Sequence, residues 1–350
     1  MTAVARSSGP ASSPARGAGP WHLLDLRSLP QDEWNGLLER AATMAGPDGR
    51  RPLLAGRRVG MLFFNPSLRT RTACEVACFD LGAHAVSLQV GGNVWKLEHR
   101  DGVVMDGDAA EHVKEGIGVL SRMLDGLGVR CFAGLTDAAE DARDPLLHAI
   151  ARASSVPVLN LESAMDHPHQ GLADALTLRR RLAGGKARVV VRWAPHIKPL
   201  PLAVPHAALL AFAREGHDVV LAHPEGYELD EAVMQAARGW SEASGGSLKV
   251  VHDPAAALAG ARVVYVKSWG ARAHYGNSGA AAQAFQAHRD WFVRRADLGD
   301  AWFMHCLPVR RGVVVADDVL DSDRSLVLEQ AEARLHVQKA TLLRALGGGT

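Results

Sequence analysis

Short aliphatic runs alternate with segments of helical spacing along nearly the whole chain, and this alternation limits the fold more than any other feature. Runs at 58–64, 83–88, 129–132 and 156–159 read as strands, and 29–44, 72–82, 110–127 and 144–154 carry helical spacing. A long helix is expected at 172–182, and the turn Gly184-Gly185-Lys186 then opens the same alternation again. Strands are expected at 188–192, 218–222, 248–251, 263–267 and 302–305, with helices at 203–215, 231–241 and 254–259 and a last helix at 329–346. Strands separated by helices pair in parallel through crossover connections. The expected fold is therefore α/β, with two doubly wound parallel-sheet domains. The expected boundaries are a disordered Ser/Ala/Gly/Pro-rich tail at 1–20, a first domain at 21–171, a second at 172–328, and a C-terminal helix at 329–350 returning to the first.

Composition narrows the class of function. At 350 residues and 47% hydrophobic the chain can bury a large core, and 39 Lys+Arg against 38 Asp+Glu leave a net charge of +1. Balanced charge gives no general attraction to nucleic acid or an anionic membrane. No run approaches the roughly 18 apolar residues of a membrane-spanning helix. Four cysteines, Cys74, Cys78, Cys131 and Cys306, are too few for a disulfide scaffold and suit a reducing cytoplasm.

In open parallel sheets, ligands sit beyond the carboxyl ends of the strands, and the polar clusters of this chain fall there. After the first strand comes Asn65-Pro66-Ser67-Leu68-Arg69-Thr70-Arg71-Thr72, with hydroxyls and arginines at the start of a helix. Free N–H groups, hydroxyls and a guanidinium converging there suit a phosphate. The blander alternative makes Ser67 a helix cap and the arginines surface residues. Arg130, the stretch 162–170 and Lys267 follow other strands.

Asp166-His167-Pro168-His169-Gln170 precedes the long helix. His167 and His169 would need further ligands to hold a metal, and none is spaced nearby. The alternatives are a cap or core role, or His167 and Gln170 aiming neutral donors at a substrate carbonyl oxygen. In His305-Cys306-Leu307-Pro308-Val309-Arg310-Arg311, neighbouring His305 points to the opposite face of the strand from Cys306. The thiol therefore reads as pocket lining.

Together, and in this order, a Ser-x-Arg-Thr-Arg loop, a His-Pro-x-Gln loop and a His-Cys-Leu-Pro segment resemble the aspartate and ornithine carbamoyltransferase superfamily. Phe63-Phe64-Asn65-Pro66-Ser67, Val103-Val104-Met105-Asp106-Gly107-Asp108, Lys267-Ser268-Trp269-Gly270 and the segment 332–340 are most similar to its N-acylornithine branch. The resemblance implies a carbamoyl phosphate-binding first domain and an acceptor-binding second domain. Ser67, Leu68, Arg69 and Thr70 would hold the phosphate, with Arg130, His167, Gln170, Cys306, Leu307 and Arg334 around them and Trp95 entering from a neighbouring subunit of a homotrimer. Arg69, Arg130, His167, Gln170 and Arg310 would be catalytic. Glu162, Lys267 and Leu307 would contact the acceptor, an N-acylated ornithine and in the first instance N-acetyl-L-ornithine. The reaction it implies needs no metal or other cofactor.

Three positions depart from that pattern, all on the acceptor side. Val314 stands where the family has a lysine, carboxylated in some members. Pro201 replaces an asparagine, and Ala110 replaces the glutamate of acetyl-specific and the proline of succinyl-specific members. These leave open N-succinylornithine or another amine as acceptor, and a silent subunit that only binds carbamoyl phosphate.

Overall fold

A computed structural model describes residues 19–91 and 94–347; the expected tail lies, except for its last two residues, outside them. The first half runs α1 (Gln31–Thr43), β1 (Arg58–Phe63), α2 (Arg69–Asp80), β2 (His84–Gln89), β3 (Leu97–Glu98), β4 (Glu111–His112), α3 (Val113–Met123), β5 (Gly126–Arg130), α4 (Ala138–Arg143), α5 (Pro145–Ala153) and β6 (Val158–Glu162). α6 (Pro168–Arg181) leads to the second half: β7 (Arg188–Trp193), α7 (Ala203–Arg214), β8 (Asp218–Ala222), α8 (Glu231–Ser244), β9 (Ser247–Val251), α9 (Pro254–Leu258), β10 (Val263–Lys267), α10 (Ser278–Ala287), α11 (Arg295–Leu298), β11 (Trp302–Met304), α12 (Asp317–Leu320) and α13 (Val327–Leu346).

Among the described residues two large parallel sheets result, beside a two-stranded parallel pair of β3 and β4. The first is ordered β2-β1-β5-β6 and the second β11-β10-β7-β8-β9. In each, the chain begins on an inner strand, builds to one side, and then crosses to the other. The switch points therefore lie between β1 and β5 and between β7 and β10, where diverging connections leave a crevice at the strands' carboxyl ends.

The apolar core runs through both halves. Leu172, Ala173, Ala175 and Leu176 of α6, with Ala207, Ala208 and Ala211 of α7, are all at most 2% exposed. α13 lies against α6, α2 and α1. A polar set reinforces the α6 junction: His169 bonds the Asn160 carbonyl through Nδ1 and Thr341 Oγ1 through Nε2, each at 3.0 Å.

Most elements fall within a few residues of their expected positions. The largest displacement is around β5, because Leu120, Leu124 and Leu127 continue the helical spacing of α3 across its actual end. The chain turns there instead, and the Asp125 carboxylate accepts from the Arg58 amide at 2.8 Å. The long helix expected at 172–182 begins earlier, at Pro168, whose missing N–H costs nothing in a first turn. Helices α4, α10, α11 and α12 were not expected. For α4 a signal was present: Asp137, with Glu140 three residues on, accepts from the Ala139 and Glu140 amides.

Gly171 sets the approach of α6 to α7. A Cβ there would lie 2.9 Å from the Ala207 carbonyl oxygen and 2.5 Å from Leu26 Cδ1, and the carbonyl belongs to a helix that cannot shift freely. Gly171→Ala is expected to lower unfolding free energy by about 1–2 kcal/mol, overpacking outweighing alanine's better helix propensity. Denaturant titration checks this, and an unchanged or raised midpoint would contradict it.

Candidate active site

Both switch points open into one cavity of about 540 Å³. From the first sheet it receives Ser67, Leu68, Arg69 and Thr70 after β1, Arg130 at the end of β5, Glu162 at the end of β6, and His167 and Gln170 from the start of α6. From the second come His196, Lys198, Leu200 and Pro201 after β7, Lys267 ending β10, and Cys306, Leu307, Pro308 and Arg310 after β11; Arg334 enters from α13. Three motifs far apart in sequence thus meet in one crevice.

The loop after β1 is held from both sides. Asn65 Oδ1 accepts from the Phe132 amide at 2.7 Å, tying it to the loop after β5. Thr70, 1% exposed, accepts through Oγ1 from Arg334 and from Arg130 Nη1 at 3.5 Å. Arg130 also pairs with Glu162 and lies 4.4 Å from the Phe132 ring centroid. Arg71 turns away: it reaches Gln89 Oε1 at 3.3 Å and covers Phe63. Arg311 likewise leaves the cavity for Asp321, at 2.6 Å.

The cavity wall carries six cationic side chains, Arg69, Arg130, Lys198, Lys267, Arg310 and Arg334, against the single carboxylate of Glu162. Burial lowers the pKa of Arg69 and Arg334, and Arg130 adds repulsion to each. A compact polyanion would meet unpaired donors here, since Nε of Arg69, Arg130 and Arg334 is buried without a partner.

His167 is 2% exposed, with Nε2 3.6 Å from Glu162 Oε2 and Nδ1 unpartnered. Burial first, then Arg334 and Arg130, hold its pKa well below the usual imidazole range, so the ring is neutral at pH 7. His169 diverges into the structural contacts already described. Among the described residues no group of three or more His, Cys, Asp or Glu is placed to hold a metal.

Gln170 requires a correction. Its Nε2 donates to Asp174 Oδ1 at 2.7 Å, while Oε1 is buried and unpartnered in the cavity wall. It offers the site an acceptor, where the sequence reading expected a donor. Cys306, 8% exposed, is kept protonated by burial. The His305 ring instead accepts from the Leu307 amide at 2.9 Å, so it does not serve the thiol as a base.

Three expected residues lie outside this cavity. Val314 is 1% exposed in a core cluster with Val264, Val266, Val293 and Phe303. Ala110 is exposed beside β4, and Trp95, 51% exposed, donates to Glu111 Oε1 at 2.8 Å at the edge of another cavity. Pro201 lines the main cavity. His196 and Lys198 were missed, although the cluster His196-Ile197-Lys198 follows a strand in the same way as the others.

Residues 21–180 match the family described as the carbamoyl-P binding domain of aspartate/ornithine carbamoyltransferases, and residues 203–345 match its Asp/Orn binding domain. The chain is 41% identical to the N-acetylornithine carbamoyltransferase of Xanthomonas campestris pv. campestris, over 93% of this chain and 98% of that one. It is 37% identical to the N-succinylornithine carbamoyltransferase of Bacteroides thetaiotaomicron, over 82% and 87%. A crystal structure of acetylornithine transcarbamylase complexed with acetylcitrulline superposes with a TM-score of 0.91 at 39% identity, covering 94% of this chain and all of that one.

The buried ionisable groups predict a pH profile of stability. His167 and His305 are held well below the usual range, and His169 and His206 at about 4, burial being the main cause in each. An unfolded chain protonates these at about 6.5, so the stability they contribute is present above that pH and lost as it falls towards 4. Asp166, raised to about 8, and Asp174, raised to about 7, act oppositely: stability is lost as pH rises from their unfolded value of about 3.9. His22, His196, His217, His223 and His336 are lowered too and Asp144 is raised, so nine histidines outweigh three acids below about 6.5, and the raised acids act above it. Denaturation midpoints should peak near pH 6.5; midpoints still rising from 6.5 to 5 would contradict the balance.

Proposed function

The chain belongs to the aspartate/ornithine carbamoyltransferase family, and we propose that it transfers the carbamoyl group of carbamoyl phosphate to the side-chain amine of N-acetyl-L-ornithine, giving N-acetylcitrulline and phosphate in arginine biosynthesis. The observation that carries this reading is the meeting of both switch points in one cationic cavity, with the anion loop on one wall and Lys267 on the other. Similarity to N-acetylornithine carbamoyltransferases over nearly the whole chain supports the choice of acceptor.

In this reading Ser67, Leu68, Arg69 and Thr70 receive the phosphate, assisted by Arg130 and Arg334. The unprotonated amine attacks the carbamoyl carbon, and the carbonyl oxygen gains negative charge. The C–O bond to phosphate then breaks as the carbonyl reforms, and the former amine nitrogen gives its proton to the departing phosphate. Arg69, Arg130 and neutral His167 face the developing charge, and Gln170 Oε1 accepts from the carbamoyl NH₂. Fixed donors and the pairing of two substrates in one crevice supply the acceleration. Cys306 and Leu307 close the donor end, while Glu162, Lys267, Leu307 and Arg310 face the acceptor.

A homotrimer in the cytoplasm completes the proposal, with Trp95 serving a neighbouring subunit's site. Its exposure, and that of Val94 at 63% and Val104 at 75%, supports this placement. N-succinylornithine is the second reading of the acceptor. In that trimer Ala110, on the same segment as Trp95, also reaches the neighbouring site, where its methyl group opposes a longer acyl group with neither bulk nor charge; this favours the second reading, as does the Bacteroides thetaiotaomicron relative.

Phosphate release from carbamoyl phosphate, measured with ornithine, N-acetylornithine, N-succinylornithine and a panel of other amines, tests these readings. The highest kcat/KM is expected with N-acetylornithine. A preference for the succinyl compound would establish the second reading, and no release with any amine would refute the enzyme. Arg69→Ala is expected to weaken carbamoyl phosphate binding about 10- to 100-fold, the scale of a lost charge-assisted hydrogen bond. Unchanged binding would remove Arg69 from the phosphate site.

A further inference from the structure

Behind the cavity, a chain of buried polar groups joins its two walls. Asp174 Oδ1 accepts both Gln170 Nε2 at 2.7 Å and Gln330 Nε2 at 2.6 Å, while Gln330 Oε1 accepts from the His305 amide at 3.0 Å. Asp174 and Gln330 are 0% exposed and Gln170 is 1% exposed. The polarity of this chain has one solution. A backbone N–H can only donate, so His305 obliges Gln330 to present its carbonyl there and its NH₂ to Asp174. Asp174 Oδ1 must then be an acceptor, and a proton taken up by the raised carboxyl belongs on Oδ2. The same oxygen draws in the Gln170 NH₂, leaving Oε1, on a residue that lines the cavity, buried and without a protein partner.

We propose that Asp174, anchored by Gln330, is a positioning residue that locks the Gln170 amide with its oxygen towards the donor substrate, and so makes the site select a carbamoyl NH₂ over the methyl group of an otherwise similar acyl phosphate. Without the carboxylate the amide turns freely and its NH₂ can face the substrate as well as its oxygen can. The lock spans sequence separations of 4 and 156 residues, joining α6 of the first half to α13 and, through His305, to the end of β11. The assignment rests on carbamoyl phosphate being the donor.

Carbamoyl phosphate, acetyl phosphate and inorganic phosphate, titrated separately against wild type, Asp174→Ala, Asp174→Asn and Gln330→Met, test it. Wild type is expected to favour carbamoyl over acetyl phosphate by about tenfold or more, the discrimination of a site built around a substrate N–H. Asp174→Ala should lose most of that preference while inorganic phosphate affinity stays within about twofold, because the phosphate donors are untouched. Asp174→Asn, whose carbonyl can accept the same two NH₂ groups, should keep the preference, and Gln330→Met should reduce it by a smaller factor. An unchanged preference in Asp174→Ala, or in Gln330→Met should the former not fold, overturns the proposal. So does an equal weakening of all three ligands, which marks a purely structural carboxylate. A wild type that binds inorganic phosphate but neither acyl phosphate refutes the donor reading itself, and the assignment with it.

Discussion

Arg69, Arg130 and Arg334 converge on one cavity whose wall holds a single carboxylate, and much of the architecture serves to keep them there. Like charges in a partly desolvated space repel, and a desolvated guanidinium loses hydration that neighbouring groups must replace. Thr70 accepts from two of these arginines, Glu162 pairs with Arg130, and the Phe132 face lies against the same guanidinium. These groups sit on different elements, Thr70 on α2, Arg130 on β5, Glu162 on β6 and Arg334 on α13, so the charge cluster exists only when all four are in place. The strained backbone at Glu162, with φ of +148°, lies in this assembly. In the proposed reading a dianionic phosphate would meet donors already oriented, which is how a preorganised site stabilises charge without reorganising during the reaction.

The same field dictates the protonation of its neighbours. His167 stays neutral because burial and two arginines make a second positive charge expensive. A neutral imidazole can still donate to a developing oxyanion, and it adds no repulsion to an attacking amine. The acids that remain near the site behave conversely: Asp174 lies within the hydrogen-bonded frame behind the wall, where burial raises its pKa to about 7. The crevice thus combines a cationic front with a nearly uncharged scaffold, and α6 belongs to both, carrying Gln170 into the cavity and Asp174 behind it.

Much of this was legible in the sequence. Polar clusters directly after apolar strand segments marked residues 67–70, 167–170 and 305–310, because a parallel sheet delivers every strand's carboxyl end to the same side. The misreadings share a cause. Helical spacing through Leu120, Leu124 and Leu127 hid the start of β5, since periodicity cannot register the sheet that captures Gly126 and Gly128. Val314, aligned with a site lysine, is turned into the core of the second half, and a linear pattern does not say towards which side of a loop a residue points. Ala110 stands apart from the cavity for a related reason: it is exposed beside β4, away from the strand ends that line the cavity.

By itself the sequence determined the alternation of strands and helices, the family, and the residue types that gather at the strand ends, because those depend on local spacing and on motifs contiguous in the chain. Only the tertiary structure decided how those residues act together. It placed Arg334 against Thr70 across 264 positions and turned Arg71 and Arg311 away from the cavity. It also reversed the reading of Gln170 from donor to acceptor. An amide has no intrinsic preference between its two ends. Its orientation was settled by Asp174, Gln330 and the His305 N–H, three groups that meet only after both sheets and the C-terminal helix have packed.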